Sequence, residues 1–441
     1  MQSSVPQSKK PLNIAVIGSG IAGMAAAWLL CRSHHVTVFE KNNRLGGHTN
    51  TVFVDKKREK IPVDTGFIVY NEPNYPNFVE LLKLLKIKTQ STEMSFSVSL
   101  DQGKFEYGSS NIDSFFGQRS NILKSDFWIM LNDIRKFFKD TNTFEKKKIA
   151  NNSMTLGEFL TQNRYGTSFI ERFILPMGAA IWSAKPDDIK DQPLDTFIKF
   201  FSSHGLLQFK NQMQWRTIVG GSREYVQKIT TPYADKIKLS NGVKEILRKT
   251  DGVILSDIHG DKHFFDQIVI ATHADEALTM LSDADNKETE ILSAFKYNNS
   301  RILLHSDTSL MPRRKRVWSS WNFLGKNTHG VSVTYWINLL QSIDNEVPYF
   351  VSVNPKFEPN PSLIYKSFSY QHPYFNIEAW DAQKKLWQLQ GNRNTWFCGS
   401  YFGYGFHEDA LEAGLAVAEE LGGIKRPWET KGNSSRIYRH N

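Results

Sequence analysis

The sequence predicts an α/β protein, a Rossmann-like parallel-sheet domain interleaved with a mixed-sheet plus helical domain. Three observations predict it. Pro11 to Glu40 reads strand, turn, helix, strand. Val243 to Ile270 alternates apolar and polar residues, with turn signals at Asp251-Gly252 and Gly260-Asp261. Thr395 to Leu421 reads as a strand, a glycine-rich loop and a helix.

The first segment carries the firmest pattern. Ile14-Ala15-Val16-Ile17 is a short apolar run, Ala22 to Leu30 holds apolar helix formers, and Val36-Thr37-Val38-Phe39 is β-branched and apolar. That is a βαβ unit with parallel strands. Phe78 to Ile87 has a helical period, as does the stretch bearing Phe127, Met130, Leu131, Ile134, Phe137 and Phe138. The apolar face of the second stretch is expected to pack on a core, with a membrane-lying helix as the alternative. A Lys- and Asn-rich loop is expected from Lys139 to Asn152. Thr155 to Arg216 reads as mostly helical, Gly220-Gly221-Ser222 breaks the pattern and opens another helix, and Val243 to Ile270 reads as a β-meander. Arg301 to Val353 reads as strand-rich, Pro359 to Leu389 as loop and helix, and Glu408 to Leu421 as a helix. The expected division is 11–75, 215–290 and 391–425 for the three parts of one domain. The other takes 76–214 and 291–390, and 426–441 is a tail.

Composition narrows the class. At 441 residues the chain has room for two or three domains, and 40% hydrophobic with 22% charged residues is ordinary for a globular protein. The 30 Phe, 15 Tyr and 11 Trp suit a large core or a pocket for a flat or greasy ligand. No run of about 18 apolar residues indicates a membrane-spanning helix. Met1 to Lys10 is polar, unlike a signal peptide. With two cysteines and no disulfide framework, a cytoplasmic setting is expected. A net charge of +9 favours anionic partners, but the basic residues are scattered and no nucleic-acid partner is expected. The tightest cluster, Arg313-Arg314-Lys315-Arg316, precedes Trp318 and Trp321. It reads as a solvated loop, with peripheral contact to an anionic membrane as the alternative. The absence of C-x-x-C and H-E-x-x-H argues against a metal site, and no G-x-x-x-x-G-K-[ST] or G-x-S-x-G appears.

Gly18-Ser19-Gly20-Ile21-Ala22-Gly23 is a G-x-G-x-x-G between a strand and a helix. Gly18 permits the tight turn, Gly20 lets a pyrophosphate reach the backbone, and Gly23 lets helix and strand pack closely. Ile21 and Ala22 open the helix, whose free N–H groups and partial positive charge suit phosphates. Glu40 ends the second strand about 20 residues on, where a carboxylate accepts from ribose hydroxyls and repels a 2′-phosphate. Lys41 follows it.

Further segments extend the pattern: Arg44-Leu45-Gly46-Gly47-His48-Thr49, Val63-Asp64-Thr65-Gly66-Phe67, Gly220-Gly221-Ser222 and Asn241-Gly242-Val243. Phe265 to His273 and Trp396 to Leu411, which includes Gly399-Ser400, complete it. In this order they resemble the flavin-containing amine oxidase and phytoene desaturase superfamily. The nearest likeness is to a bacterial branch of predicted FAD-dependent oxidoreductases, often encoded near cyclopropane-fatty-acid-synthase-like genes. The resemblance implies bound FAD. Arg44, Gly46, Gly47 and His48 would wrap the dinucleotide, and Thr65, Gly66 and Phe67 would run close to the isoalloxazine. Val243 would lie against the adenine, and Ala271 near the cofactor. Gly399, Ser400, His407, Ala410 and Leu411 would bring a helix N-terminus to flavin N1, where reduced flavin carries negative charge. Many relatives have Gly-Glu where this chain has Gly399-Ser400.

Three residues are candidates for the reaction: His407 as acid, base or hydrogen-bonding group, Tyr404 as pocket lining, and Trp182 as an approach to the ring from the second domain. A structural histidine and core packing are the alternatives for His407 and Trp182. Tyr335 and Trp336 are weaker candidates for the substrate sheet. The implied activity is hydride transfer from a small-molecule or lipid substrate, an acyl chain or an amine, to flavin N5. Oxygen or another acceptor then reoxidises the flavin. No carboxylate pair for an amine is evident, and the charge and aromatics tilt the reading toward lipid. The alternative is a flavoprotein with structural FAD that binds a membrane or a partner.

Overall fold

The computed structural model describes residues 10–56, 59–146, 154–182, 186–207, 213–326, 329–430 and 436–439. Its N-terminal βαβ unit is the strand Asn13–Ile17, the helix Ile21–Leu30 and the strand His35–Phe39. The two strands pair in parallel, Ile14 against Val36 through Ile17 against Phe39. They form part of a five-stranded parallel sheet ordered Ile237–Lys238, His35–Phe39, Asn13–Ile17, Gln267–Ile270, Thr395–Phe397. Distant stretches of chain thus meet in one sheet, with their C-terminal ends at one edge.

All ten residues of the helix Ile21–Leu30 are buried, which explains its continuous apolar sequence. One side faces the sheet; another faces the helix His407–Gly422. The approach is backbone to backbone, since a Cβ on Gly414 would fall 2.1 Å from the Ala22 carbonyl oxygen.

A seven-stranded mixed sheet forms the floor of the second domain. Its order is Ile364–Tyr374, Lys296–His305, Phe350–Val353, His329–Trp336, Trp321–Lys326, Phe96–Leu100, Phe105–Gly108. All neighbours are antiparallel except Trp321–Lys326 beside Phe96–Leu100. Helices between Ser125 and Ser203 cover one region of it, around a core that is dense in phenylalanine. The helix Ser125–Lys146 buries Phe127, Met130, Ile134 and Phe137. Its sequence-predicted apolar face is therefore core. It also runs into the stretch expected to be loop; residues 147–152 of that stretch lie outside the described residues.

Three expectations change. The meander stops after Val243–Arg248, Val253–Asp257 and Lys262–Phe265; Gln267–Ile270 leaves it and pairs in parallel with Asn13–Ile17. Asp266 makes this corner by accepting from the Asn13 N–H through its Oδ2, at 2.7 Å. Ile364–Tyr374, expected as loop and helix, is an eleven-residue edge strand pairing with Lys296–His305. As an edge it is only partly buried on both faces, so its alternation is weak. The helical stretch ends earlier than expected, because Trp215–Ile218 is a strand between Val69–Asn71 and Thr89–Thr92.

Cys31 and Cys398 are both free, and burial raises both thiol pKa values. No helix among the described residues is long and apolar enough to cross a membrane.

Candidate functional site

At the end of the first strand the Gly18 N–H donates to the Phe39 carbonyl (2.8 Å), and φ of +98° is open to glycine. Gly23 is where helix meets turn: a Cβ there would sit 2.0 Å from the Gly18 carbonyl oxygen. Gly20 differs, since a Cβ on it would meet nothing within 4 Å. The turn thus has one closed side and one open side. Ile21 and Ala22 follow, buried in the first helical turn.

Glu40 is 5% exposed and fully engaged. Its Oε2 accepts from the Ser19 N–H (3.0 Å) and hydroxyl (2.6 Å), and its Oε1 from the Asn42 N–H (2.8 Å) and Nδ2 (2.7 Å). Each carboxylate oxygen has two acceptor directions, so Glu40 braces the phosphate turn from below. Lys41 points away, to Glu276 at 2.5 Å.

The Arg44–Thr49 loop lies on the turn. The Gly46 N–H donates to the Ser19 carbonyl (3.0 Å), and a Cβ on Gly47 would fall 3.2 Å from Gly20 Cα. Arg44 reaches only its own loop, the Leu45 and Thr49 carbonyls, each at 3.4 Å. His48 Nε2 is buried without a hydrogen-bond partner in the protein. His372 and His273 lie beside it, ring centroids 5.4 and 6.3 Å away. Burial first, then these neighbours, lower the His48 pKa well below the usual imidazole value.

Thr65, Gly66 and Phe67 run against that loop. The Phe67 N–H donates to the His48 carbonyl (3.0 Å), and a Cβ on Gly66 would come within 2.1 Å of that oxygen. Phe67 stacks on His407, centroids 3.7 Å apart and planes 9° from parallel. His407 Nε2 shares a hydrogen bond with the Tyr225 hydroxyl (2.8 Å), which shares another with Thr49 Oγ1 (2.6 Å). Burial pushes the His407 pKa down to about 3. An imidazole that weak takes up no proton near neutral pH, so the site uses it as a fixed hydrogen-bonding ring. Replacing His407 with Phe keeps an aromatic stack and removes the Tyr225 partner. The expected loss is about 1 kcal/mol in urea unfolding, with no step near pH 6.5 in the native protein's flavin-reduction profile that the variant lacks. Such a step would refute the assignment.

The first turn of His407–Gly422 is acidic, with Glu408 and Asp409 both buried. Asp409 Oδ2 accepts from the Phe406 N–H (2.8 Å). Glu408 accepts from the Asn77 and Phe78 N–H groups (2.8 and 3.0 Å), capping the helix Pro76–Leu84 from a distant part of the chain. Ala410 and Leu411 are buried behind it. Gly399-Ser400 ends the preceding strand; the Ser400 carbonyl accepts from Gly403 and Gly405 and folds the loop back. Ala271 abuts Gly18, its oxygen 2.9 Å from a Cβ built there; Val243 opens the meander strand just after Asn241, whose N–H donates to the Glu40 carbonyl at 2.9 Å.

A cavity of about 1450 Å³ opens from Thr65-Gly66-Phe67 toward the helical region. Tyr404 and Trp182 both line it, Trp182 against Phe200 with centroids 4.9 Å apart. Tyr335 lines it too, but the next residue along the strand faces the other way. Trp336 packs on Trp318, and its Nε1 has no partner. His372 and Phe406 also line the cavity.

Sequence reasoning missed Tyr225, Glu408 and Gly414. Tyr225 stands three residues past the Gly220-Gly221-Ser222 break, and Glu408 beside His407, so both were signposted by neighbouring motifs.

The sequence profile of flavin containing amine oxidoreductases matches residues 21–422. A 4,4'-diapophytoene desaturase (4,4'-diaponeurosporene-forming) of Staphylococcus aureus strain Newman is 39% identical over 64 residues. That match spans 14% of this chain and 12% of the desaturase, so the chain aligns with only a small part of this curated relative. Solved structures match over nearly the whole length. A CLA-producing fatty acid isomerase from P. acnes has a TM-score of 0.66 at 15% identity, covering 94% of this chain and 98% of that one. Cyclohexylamine oxidase from Brevibacterium oxydans IH-35A has a TM-score of 0.66 at 15% identity, covering 93% and 99%. At these identities the structures show a shared fold.

Proposed function

The chain belongs to the flavin containing amine oxidoreductase family and is an FAD-dependent oxidoreductase; from that premise we propose that its substrate is a long apolar molecule, an acyl chain or comparable lipid. The cavity carries this reading. Its wall is mainly aromatic and aliphatic, with neutral hydroxyl, amide and imidazole side chains among them, and among the described lining residues only Glu93 and Arg135 are charged. Both are exposed at the rim, and Glu93 Oε1 already accepts from the Ser95 hydroxyl. No buried carboxylate among them stands ready to hold an ammonium group, whose desolvation without a partner is costly. A chain of methylenes meets no such cost and gains roughly 0.8 kcal/mol per buried CH₂.

The residues present fit FAD on two observations: the open side of Gly20 and the orphaned Nε2 of His48. In this reading Gly18, Gly20, Gly23 and the start of the first helix would hold the diphosphate, and Glu40 would accept from the ribose hydroxyls by exchanging its Asn42 partners for them while still bracing Ser19. Gly46, Gly47 and His48 cover the dinucleotide. FAD, when bound, supplies the hydride acceptor. The chain's own groups do the rest. Phe67 lines the cavity, backed by His407 and Tyr225, while Tyr404 and Trp182 orient the substrate and exclude water. The names of two similar proteins, a fatty acid isomerase and a desaturase acting on diapophytoene, favour an apolar substrate; cyclohexylamine oxidase favours the amine.

The test is anaerobic mixing of the FAD-loaded protein with a panel of acyl lipids and a panel of amines. Bleaching of the oxidised flavin band by lipids is the expected result. Bleaching by simple amines alone overturns the proposed substrate class. A flavin reduced by neither panel supports the alternative of a structural cofactor in a binding module.

A further inference from the structure

The surface around one opening of the cavity is unusual for a protein that meets only water. Sixteen large apolar residues are well exposed among those described, and five of them fall between positions 112 and 129. Leu123 is 89% exposed and Ile112 80%, with Trp128, Ile129 and Ile122 between 41% and 49%. Singly exposed apolar residues need no explanation, but a cluster at one place does. Ile112 sits on the short helix Ile112–Phe115, Ile122 and Leu123 on the turn Arg119–Leu123, and Trp128 and Ile129 on the first turns of Ser125–Lys146. Local contacts hold these together: Trp128 Nε1 donates to the Ile122 carbonyl (2.8 Å), and Phe116 packs against Trp128 at 6.2 Å.

The same face is basic. The turn Lys315–Val317 packs on the helix Ile112–Phe115, which brings the exposed Lys315 and Arg316 beside that helix, while the exposed Arg313 lies against Gly103. Arg314 instead turns inward to the buried Glu106, 2.8 Å away. Beside Leu123 a smaller cavity of about 480 Å³ is lined by Lys104, Lys124 and Arg172 together with Asp101 and Asp126. Two of the acids of the face are matched, Asp113 with Arg119 and Asp126 with Arg172 at 3.5 Å, and Asp101 lies beside Lys104 and Lys124 in the smaller cavity. Lys124, Arg135, Arg313, Lys315 and Arg316 remain in excess. Ile112, Trp128 and Arg135 belong both to this face and to the lining of the large cavity.

We propose that this face docks on an anionic lipid bilayer, with Ile112, Ile122, Leu123, Trp128 and Ile129 entering the headgroup–acyl boundary and the surrounding Lys and Arg residues meeting lipid phosphates. Apolar side chains ringed by cations are what such an interface binds. The cavity then opens directly onto the membrane, so an apolar substrate enters it without crossing water. That consequence rests on the substrate reading above; the docking itself does not, and it is measured without turnover.

The experiment is sedimentation of the FAD-loaded full chain with vesicles of phosphatidylcholine alone and of phosphatidylcholine with phosphatidylglycerol. Binding to the anionic vesicles is expected, weakening as salt rises. The pair Leu123→Glu and Ile129→Glu, neither lining the large cavity, is expected to lower the partition coefficient by roughly tenfold or more. Its flavin absorbance and bleaching by a detergent-dispersed substrate should be unchanged. A second pair, Lys315→Glu and Arg316→Glu, removes charge without touching the apolar cluster and should weaken anionic binding in the same direction. The proposal is overturned by no binding to either vesicle, by equal binding to both, or by a folded Glu pair that binds like the native protein. It is also overturned if light scattering shows a dimer that the Glu pair dissolves while native protein ignores vesicles, since the face would then bury against a second copy. Vesicle binding combined with turnover of amines alone would sink the substrate reading and leave the docking intact.

Discussion

Replacing Gly23 with alanine is expected to yield a protein that retains no FAD and is destabilised by roughly 3 kcal/mol, the upper range for forcing a methyl into a closed space. The new Cβ would lie 2.0 Å from the Gly18 carbonyl oxygen and 3.1 Å from Ala271 Cβ. Neither neighbour is the free end of a flexible chain. Gly18 cannot retreat, because its N–H is bonded to Phe39 and its other side is closed by the Ala271 carbonyl. The helix must therefore lift from the strand, against the close contact of Ala22 with Gly414 on its other side. Gly20→Ala is the control. Gly20 has φ of −64° and ψ of 174°, which alanine adopts freely, and its Cβ would point into open space. This variant should melt like the native apoprotein yet bind FAD about tenfold more weakly, a loss of about 1.4 kcal/mol. Thermal melting of apo and FAD-loaded protein with flavin titration separates the two effects. Native-like FAD retention by Gly23→Ala refutes the closed-side account. Native-like affinity of Gly20→Ala would show that the diphosphate does not approach this face.

The contrast between these glycines marks how much was legible beforehand. The βαβ unit was readable because its information is local: apolar runs, a glycine turn and a carboxylate at set spacing specify neighbours in space as well as in sequence. The glycine-rich loop before His407 was readable for the same reason. The partners that hold His407 were not. Tyr225 lies 182 positions away, and the Glu408 cap on Asn77 spans 331. Such contacts follow from the way separate stretches enter one sheet, which no short window reports. Ile364–Tyr374 failed differently. An edge strand half-covered on both faces has little alternation to read, and only its pairing with Lys296–His305 makes it a strand. Gln267–Ile270 looked like the next meander strand because the apolar pattern of a buried parallel strand does not say which sheet it joins.

Acidification should weaken the fold between about pH 6.5 and pH 4, and histidines are the cause. His305 is wholly buried; its Nδ1 accepts from the Asp307 N–H (3.1 Å), and its Nε2 faces Ser352 Oγ at 2.8 Å. An accepting Nδ1 carries no proton, so charging the ring means breaking that bond in a buried site. Burial pushes its pKa down to about 4, and does the same for His204 and His372. His48, His273 and His407 are lowered as well, each chiefly by burial. In the unfolded chain these rings protonate as pH falls through about 6.5, whereas in the folded protein His305, His204 and His372 stay neutral until about 4 and the other three are lowered in the same direction. The unfolded state thus binds more protons across that window, and stability falls as pH falls. For His305 alone the loss between pH 7 and 4.5 is about 2.5 kcal/mol. Asp64, Glu408 and Asp409 pull the other way, because burial raises their pKa values, to about 6 for Asp64 and about 7 for Glu408. The histidines outnumber them, so the net slope should follow the imidazoles. The sharper test is a difference. His305→Asn has no proton to gain, so between pH 7 and 4.5 it should lose about 2.5 kcal/mol less than the native protein, however stable it is at pH 7. Urea midpoints at the two pH values give both numbers. Parallel pH dependence in native protein and variant would show that His305 is not held neutral by the fold.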